Sequence, residues 1–391
     1  MPQDPVISTA SRLGNLQEYY FSAKLREIAA MRSQGIEVIN LGIGSPDLPP
    51  PLPVRTRLGE DSVREDTHAY QPYQGIPELR TAFADWYQRH YRVLLDPQKE
   101  VYPLIGSKEG LVHLAFTFLE SGDQALVPNP GYPTYRTATE LAGASPLPYD
   151  LLPENKWLPD FETLEKKDLR KVKIMWVNYP HMPTGAQADT TFFDQLVAFA
   201  RKHRILIVHD NPYSFILNDT PLSILSATGA MDVAVELNSL SKSHNMAGWR
   251  IGMLAGRADY LAAVIRFKSN MDSGMFKPLQ YAAALALQAG PDWYAALNET
   301  YRGRREKVYA LLEKLDCSWD PQAAGMFVWA AIPSHWKDGI ELTDALLEKT
   351  AVFITPGSIF GSQGKSYVRI SLCNPTSVLE DAIQRIENHF H

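Results

Sequence analysis

The 391-residue sequence predicts an α/β fold, a mostly parallel central sheet flanked by helices, and two observations carry that expectation. From about residue 76 onward, short apolar runs alternate with segments of helical periodicity, the pattern of strands joined by helical crossovers. Runs such as KIMWV (173–177) and ILIV (205–208) are apolar at nearly every position, as strands covered on both faces must be. Composition agrees. With 45% apolar and 21% charged residues the chain is a packed globular protein, and its length suits one large domain plus a smaller one.

Helical periodicity begins in EYYFSAKLREIAAMRSQG (18–35), where Gly35 is placed to end the helix. A short strand, EVINLGIG, follows. The alternation then runs through helix PELRTAFADWYQRHY, strand VYPLIG, helix SKEGLVHLAFTFLE, strand QALVPNP and helix YRTATELAG. It continues with strand KIMWVNYP, helix TTFFDQLVAFARKHR, strands ILIVHD, AVELNSL and RIGMLAG, and helix ADYLAAVIRFK. After residue 290 the texture changes: a long helix (291–315) leads to GMFVWAAIP, a helix, VFITPG, YVRISLC and a last helix. We expect residues 49–290 to form the large domain, and 1–48 with 291–391 a smaller α+β domain.

Several function classes are excluded. A net charge of −6 argues against nucleic acid as a partner, because phosphate binding needs a basic face. Two distant cysteines, Cys317 and Cys373, make no disulfide framework. The N-terminus lacks the apolar stretch of a secretory signal, and no run approaches the roughly 18 apolar residues of a membrane span. A cytoplasmic protein is expected.

In open α/β sheets ligands bind beyond the carboxyl ends of the strands. Gly106 and Ser107 follow VYPLI and open a helix, whose first N–H groups can hold an anion. Asp210 and Tyr213 follow ILIVH, Ser239, Ser241 and Lys242 follow AVELN, and Tyr132 follows QALVPNP. Singly, each is an ordinary cap, packing aromatic or solvated lysine. Together they describe a ligand with a phosphate, an aromatic ring, a ring nitrogen that wants a carboxylate and an aldehyde that wants an amine. Pyridoxal 5′-phosphate has these groups: Lys242 would hold it as a Schiff base, while the fork of Arg250 and the serine hydroxyls grip the phosphate. His203, His209 and Asp210 hint at a metal, but two of them flank a buried strand and no HExxH or CxxC is present, so no metal is expected. GxSxG, P-loop and GxGxxG motifs are also missing.

SLSKSHNMAGWRIG (239–252) closely resembles the lysine motif of class I/II, fold-type-I aminotransferases. LGIGSPD, YQPYQGIPELR, IGSKEG, NPGYPTY, NYPHMPTG, HDNPYS, NMDSGMFKPLQ and YVRISLC follow in the family's order. LGIGSPDLP, IGSKEG and SKSHNMAGWRIG are most similar to LL-diaminopimelate aminotransferase-like enzymes. The resemblance implies a fold-type-I enzyme that moves an amino group from an amino acid to a 2-oxo acid. By it, Lys242 bears the cofactor and shuttles the proton, Asp210 pairs with the ring nitrogen, Tyr213 donates to ring O3′ and Tyr132 stacks on the ring. Ser107, Lys108, Ser239, Ser241 and Arg250 surround the phosphate, the first two mainly through backbone N–H. Tyr70 reaches the phosphate of the neighbouring subunit, which implies a homodimer with shared sites. Arg369 clamps the substrate α-carboxylate with help from the backbone at Gly44, and Tyr20 lines the side-chain space.

One position departs from the family. The stretch matching NYPHMPTG carries Asn directly before Pro-Thr-Gly in most members, donating to O3′, whereas here it carries Met182, which has no N–H to give. Two rival readings remain open at this point: a β-lyase of the same fold that expels a thiol from a cysteine-derived thioether, and a non-catalytic protein that uses the fold to bind an effector.

Overall fold

The computed structural model describes residues 7–14 and 20–390. Positions 18 and 19 of the first predicted helix lie outside the described residues; the remainder is helical over Tyr20–Ser33, and Gly35 follows in the left-handed region at φ 86°.

Seven strands form the main sheet: β1 (Val101–Leu104), β2 (Gln124–Asn129), β3 (Ser145–Asp150), β4 (Val172–Val177), β5 (Leu206–Asp210), β6 (Ala234–Ser239) and β7 (Gly252–Gly256). Their order is β1-β7-β6-β5-β4-β2-β3, and only β7 runs antiparallel to its neighbours. The central strands carry apolar runs such as 174–177 and 206–208 because both faces are covered. Met175, Val177 and Ile207 pack on one side with Leu79, Phe83 and Trp86, while Ile174, Trp176 and Val208 pack on the other with Leu111 and Leu114. Sequence reading misses β3, SPLPYD, which carries two prolines and no apolar run. Proline is tolerated there because β3 is the edge strand.

A second sheet joins β8 (Ser318–Trp319), β9 (Phe327–Ala331), β10 (Thr355–Pro356) and β11 (Tyr367–Ser371) in the order β10-β11-β9-β8, all antiparallel. Val328, Ile370 and Leu346 form its core with Val308 and Leu311 of the long helix Pro291–Lys314. The N-terminal segment is part of this layer. Ile39 and Asn40 pair in parallel with Val352 and Phe353, and the Ser371 N–H donates to the Leu41 carbonyl at 2.8 Å. The predicted strand EVINLGIG is thus only two residues long, because the chain turns away to pass over the main sheet. Ile28 of the first helix packs on Leu347 and Phe353, and buried Arg304 grips Asp47 through two N–H···O bonds of 2.7 Å.

Candidate active site

Strand ends of the main sheet and the N-terminal segment enclose a cavity of about 520 Å³. Lys242 enters it from β6. That strand ends at Ser239, whose Oγ caps the one-turn helix Leu240–Ser243 by accepting from the Ser241 N–H at 3.1 Å. The Trp293 indole donates to the Ser243 carbonyl at 2.9 Å and pins the far end of the turn. Lys242 Nζ therefore stands inside, donating to the Gly44 carbonyl at 2.6 Å. Burial disfavours its charged form and lowers its pKa to about 8, with Arg369 and Arg250 pushing the same way and Cys373 opposing.

Asp210 ends β5 and is 5% exposed. Its Oδ2 accepts from the Tyr135 hydroxyl at 2.9 Å, while Oδ1 has no hydrogen-bond partner among the described residues. Burial lifts the carboxyl to about 6, against the Tyr135 hydrogen bond and nearby His209, which favour the anion. A buried carboxylate with one oxygen satisfied and one unmatched calls for a donor from the cavity.

Groups suited to an anion line the same cavity as Lys242. Gly106 has φ 77° and opens helix α1 (Ser107–Phe118); a Cβ at Gly106 would fall 1.9 Å from Arg250 Nη2, so only glycine leaves room for the guanidinium over that first turn. Ser239 and Ser241 Oγ, 2.9 Å apart, line the same region. Lys108 Nζ lies 6.0 Å from the centre of the Tyr132 ring. Tyr213 lines the cavity edge-on to Phe327, and burial pushes its hydroxyl pKa upward. Arg369 is 4% exposed, sandwiched between Phe327 and Phe360 with its guanidinium carbon 3.9 and 4.7 Å from the ring centres. Its Nη2 donates to the Gly42 carbonyl at 2.7 Å. Gly44 adjoins Phe327 so closely that a Cβ there would meet the ring at 2.2 Å.

Residues 36–386 of this chain match the family Aminotransferase class I and II. The chain belongs to that family. This aminotransferase is 42% identical over 381 residues to an LL-diaminopimelate aminotransferase of Dehalococcoides mccartyi, covering 97% of this chain and 98% of that one. It is 43% identical to the LL-diaminopimelate aminotransferase of Desulforudis audaxviator, with 96% of each chain covered. Among solved structures it is similar to substrate-bound BacF from Bacillus subtilis, with a TM-score of 0.93 and 38% identity over 98% of both chains. The enzyme transfers amino groups between amino acids and 2-oxo acids, both small-molecule substrates. Membership also implies pyridoxal phosphate as the cofactor, and the residues present fit it: Asp210 Oδ1 is unmatched, the Gly106 notch admits Arg250, and a low-pKa amine lines the same cavity. Among the described residues no helix is long and apolar enough to cross a membrane.

Two expected site residues of the aminotransferase lie outside its own cavity. Tyr20 does not line it; the ring packs against the Ile28, Val38 and Phe353 cluster near Asp344 and Glu27, and Ser22 and Leu25 of the same helix face the cavity instead. Tyr70 is 91% exposed and stands apart from it. The three candidate metal ligands do not converge. His203 pairs with Glu165 at 3.0 Å and His209 with Glu236 at 2.8 Å, on the opposite face of β5 from Asp210. Glu109, His113 and Asp272 do cluster, with the Lys268 ammonium 2.7 Å from Glu109 and 2.6 Å from Asp272.

Reading the sequence misses Tyr135. The only signal is its place three residues after Tyr132, where a helical first turn directs both rings to one side. His181 turns away from the cavity to bond Thr184 Oγ1 at 2.8 Å, and Asn178 is structural: it donates to the Asp210 carbonyl at 2.6 Å and accepts from the Met182 N–H at 2.8 Å. Met182 itself lines the cavity.

Proposed function

We propose that this aminotransferase binds pyridoxal 5′-phosphate through Lys242 and takes its amino group from an LL-diaminopimelate-like dicarboxylic amino acid. The observation that carries the cofactor part is the buried, low-pKa Lys242 amine in one cavity with groups suited to an anion and the unmatched Asp210 Oδ1. The bound cofactor supplies an aldehyde for the travelling amino group and a ring that draws electrons from the substrate Cα.

The chain's own groups divide the remaining work. The first N–H groups of α1, Ser239, Ser241 and Arg250 hold the phosphate. Asp210 Oδ1 keeps the ring nitrogen protonated, and Tyr135 fixes that carboxylate through its other oxygen. Tyr132 covers the ring face, and Tyr213 donates to the ring hydroxyl oxygen. The Lys242 amine would take the proton from the substrate Cα and deliver it two bonds away, to the carbon across the transferred nitrogen. Arg369 clamps the α-carboxylate, its plane fixed by Phe327 and Phe360. The relatives' names support the donor.

We further propose a homodimer in which Tyr70 serves the partner's phosphate. Tyr70, Tyr73, Met271 and Phe276 are exposed on two neighbouring segments, with Phe276 5.8 Å from His68 and Gly274 packed on the Gln71 carbonyl. Lobes of 49–290, and of 1–48 with 291–391, are the division we adopt. The test is a screen of amino donors, LL-diaminopimelate included, against 2-oxoglutarate, following return of the pyridoxal absorbance. Transfer from apolar donors alone would remove the dicarboxylic reading. Release of ammonia and a thiol without transfer would favour β-elimination.

A further inference from the structure

Arg369 donates to acceptors of different kinds. Nη2 meets an oxygen, the Gly42 carbonyl, while Nη1 meets a sulfur, Met182 Sδ, at 3.2 Å. Met182 is 5% exposed and is itself held in place. Its N–H is fixed by Asn178 Oδ1, and the other end of that amide donates to the Asp210 carbonyl, so sulfur, Asn178 and the end of β5 form one rigid unit. Nothing in the roles assigned above uses this thioether.

We propose that Met182 is a positioning residue for Arg369: its sulfur aims the guanidinium fork into the cavity without competing for it. This rests on reading Arg369 as the carboxylate clamp. A thioether is a weak, polarizable acceptor, strong enough to bias the rotamer of a guanidinium already stacked between two rings. A carboxylate in its place would pair with the cation firmly and reduce its attraction for substrate. Because the thioether carries no N–H, it also ends the hydrogen-bond chain at Arg369. A carboxylate arriving at the clamp therefore sends no donor shift through this side chain toward Asp210 and Tyr213.

The test uses holoenzyme carrying Met182→Leu, which keeps the volume and removes the acceptor, and Met182→Gln, which restores an acceptor at similar reach. Arg369→Ala is the control for the clamp. Binding of the unreactive carboxylates succinate and hexanoate is measured by calorimetry, alongside KM and kcat for the donor and the 2-oxo acid. With Leu, dissociation constants and KM values for all carboxylates should rise about three- to tenfold, the loss falling in KM rather than kcat. Gln should recover most of that loss. Native-like binding by the Leu variant, or equal impairment of Leu and Gln, would overturn the proposal, since the second result would mean that packing alone matters. If Arg369→Ala binds both carboxylates normally, the clamp reading itself fails. If only Arg369→Ala is impaired, the clamp stands and the role of Met182 falls. Should the Leu variant not fold, the Gln variant decides: binding of both probes more than tenfold weaker than native would refute the acceptor role.

Discussion

An amine reacts with an aldehyde only through its lone pair, and Lys242 is placed to keep one available. Its pKa is lowered to about 8, chiefly by burial, so it is ammonium below that value and free amine above it. Capture of pyridoxal phosphate by the apoprotein should therefore accelerate as pH rises through about 8 and then level off, as stopped-flow absorbance would show. A rate that is constant across that range would contradict the placement. Lys242→Ala should fold and still retain cofactor, yet lose transamination by more than about a thousandfold, because the same amine moves the proton. Met182 makes a third prediction. Asn there adds an N–H that can stabilise the deprotonated ring oxygen, so Met182→Asn should lower the pH at which the bound-cofactor absorbance changes form. An unchanged or higher midpoint in a spectral titration would mean that another group already supplies the bond.

The elements most legible in the sequence were those with a strong period or an unbroken apolar run: β4, β5 and α1 lie close to where the periodicity puts them. Strand direction was not legible. The antiparallel course of β7 is set by the turn after Lys242, where Arg250 adopts φ 57°, and an apolar run looks alike in either sense. Cavity-lining residues at strand ends could be read because each follows its strand directly. Tyr20 could not, since the phase of a helix decides its direction, and that phase turns Ser22 and Leu25 inward. The start of α1 carries the prediction at this scale. Gly106→Ala adds a Cβ 1.9 Å from Arg250 Nη2 at φ 77° and ψ 154°, a region open essentially to glycine, so the guanidinium must move and the backbone is strained by about 1–3 kcal/mol. Cofactor affinity should fall at least about tenfold, by fluorescence titration of the apoprotein, while circular dichroism stays native. Equal affinity would show that Arg250 does not hold the phosphate.

At the scale of the molecule, a shared site is open to complementation. Inactive Lys242→Ala and an inactivating Tyr70 variant, mixed under subunit exchange, should recover up to about a quarter of native activity, because some hybrid dimers carry one intact site. No recovery despite proven exchange would place both residues in the same chain's site. The smaller layer has a further property, rooted in its pairing. The Thr355 hydroxyl bonds the Gly42 carbonyl across 313 residues of chain, and Ile39 meets Val352 in the same layer. At about 5–20 residues per second, a ribosome takes roughly fifteen seconds to a minute to deliver that partner. Throughout that time Ile39 and Leu41 are apolar side chains on an emerged, unpaired leader, while the strands of the main sheet can already assemble behind them. Nascent chains stalled near residue 300 should thus be cut by protease around positions 37–47, and release of the full-length chain should close that window. Residues 39–42 are made long before the partners they pair with, a natural place for a chaperone to hold the growing protein.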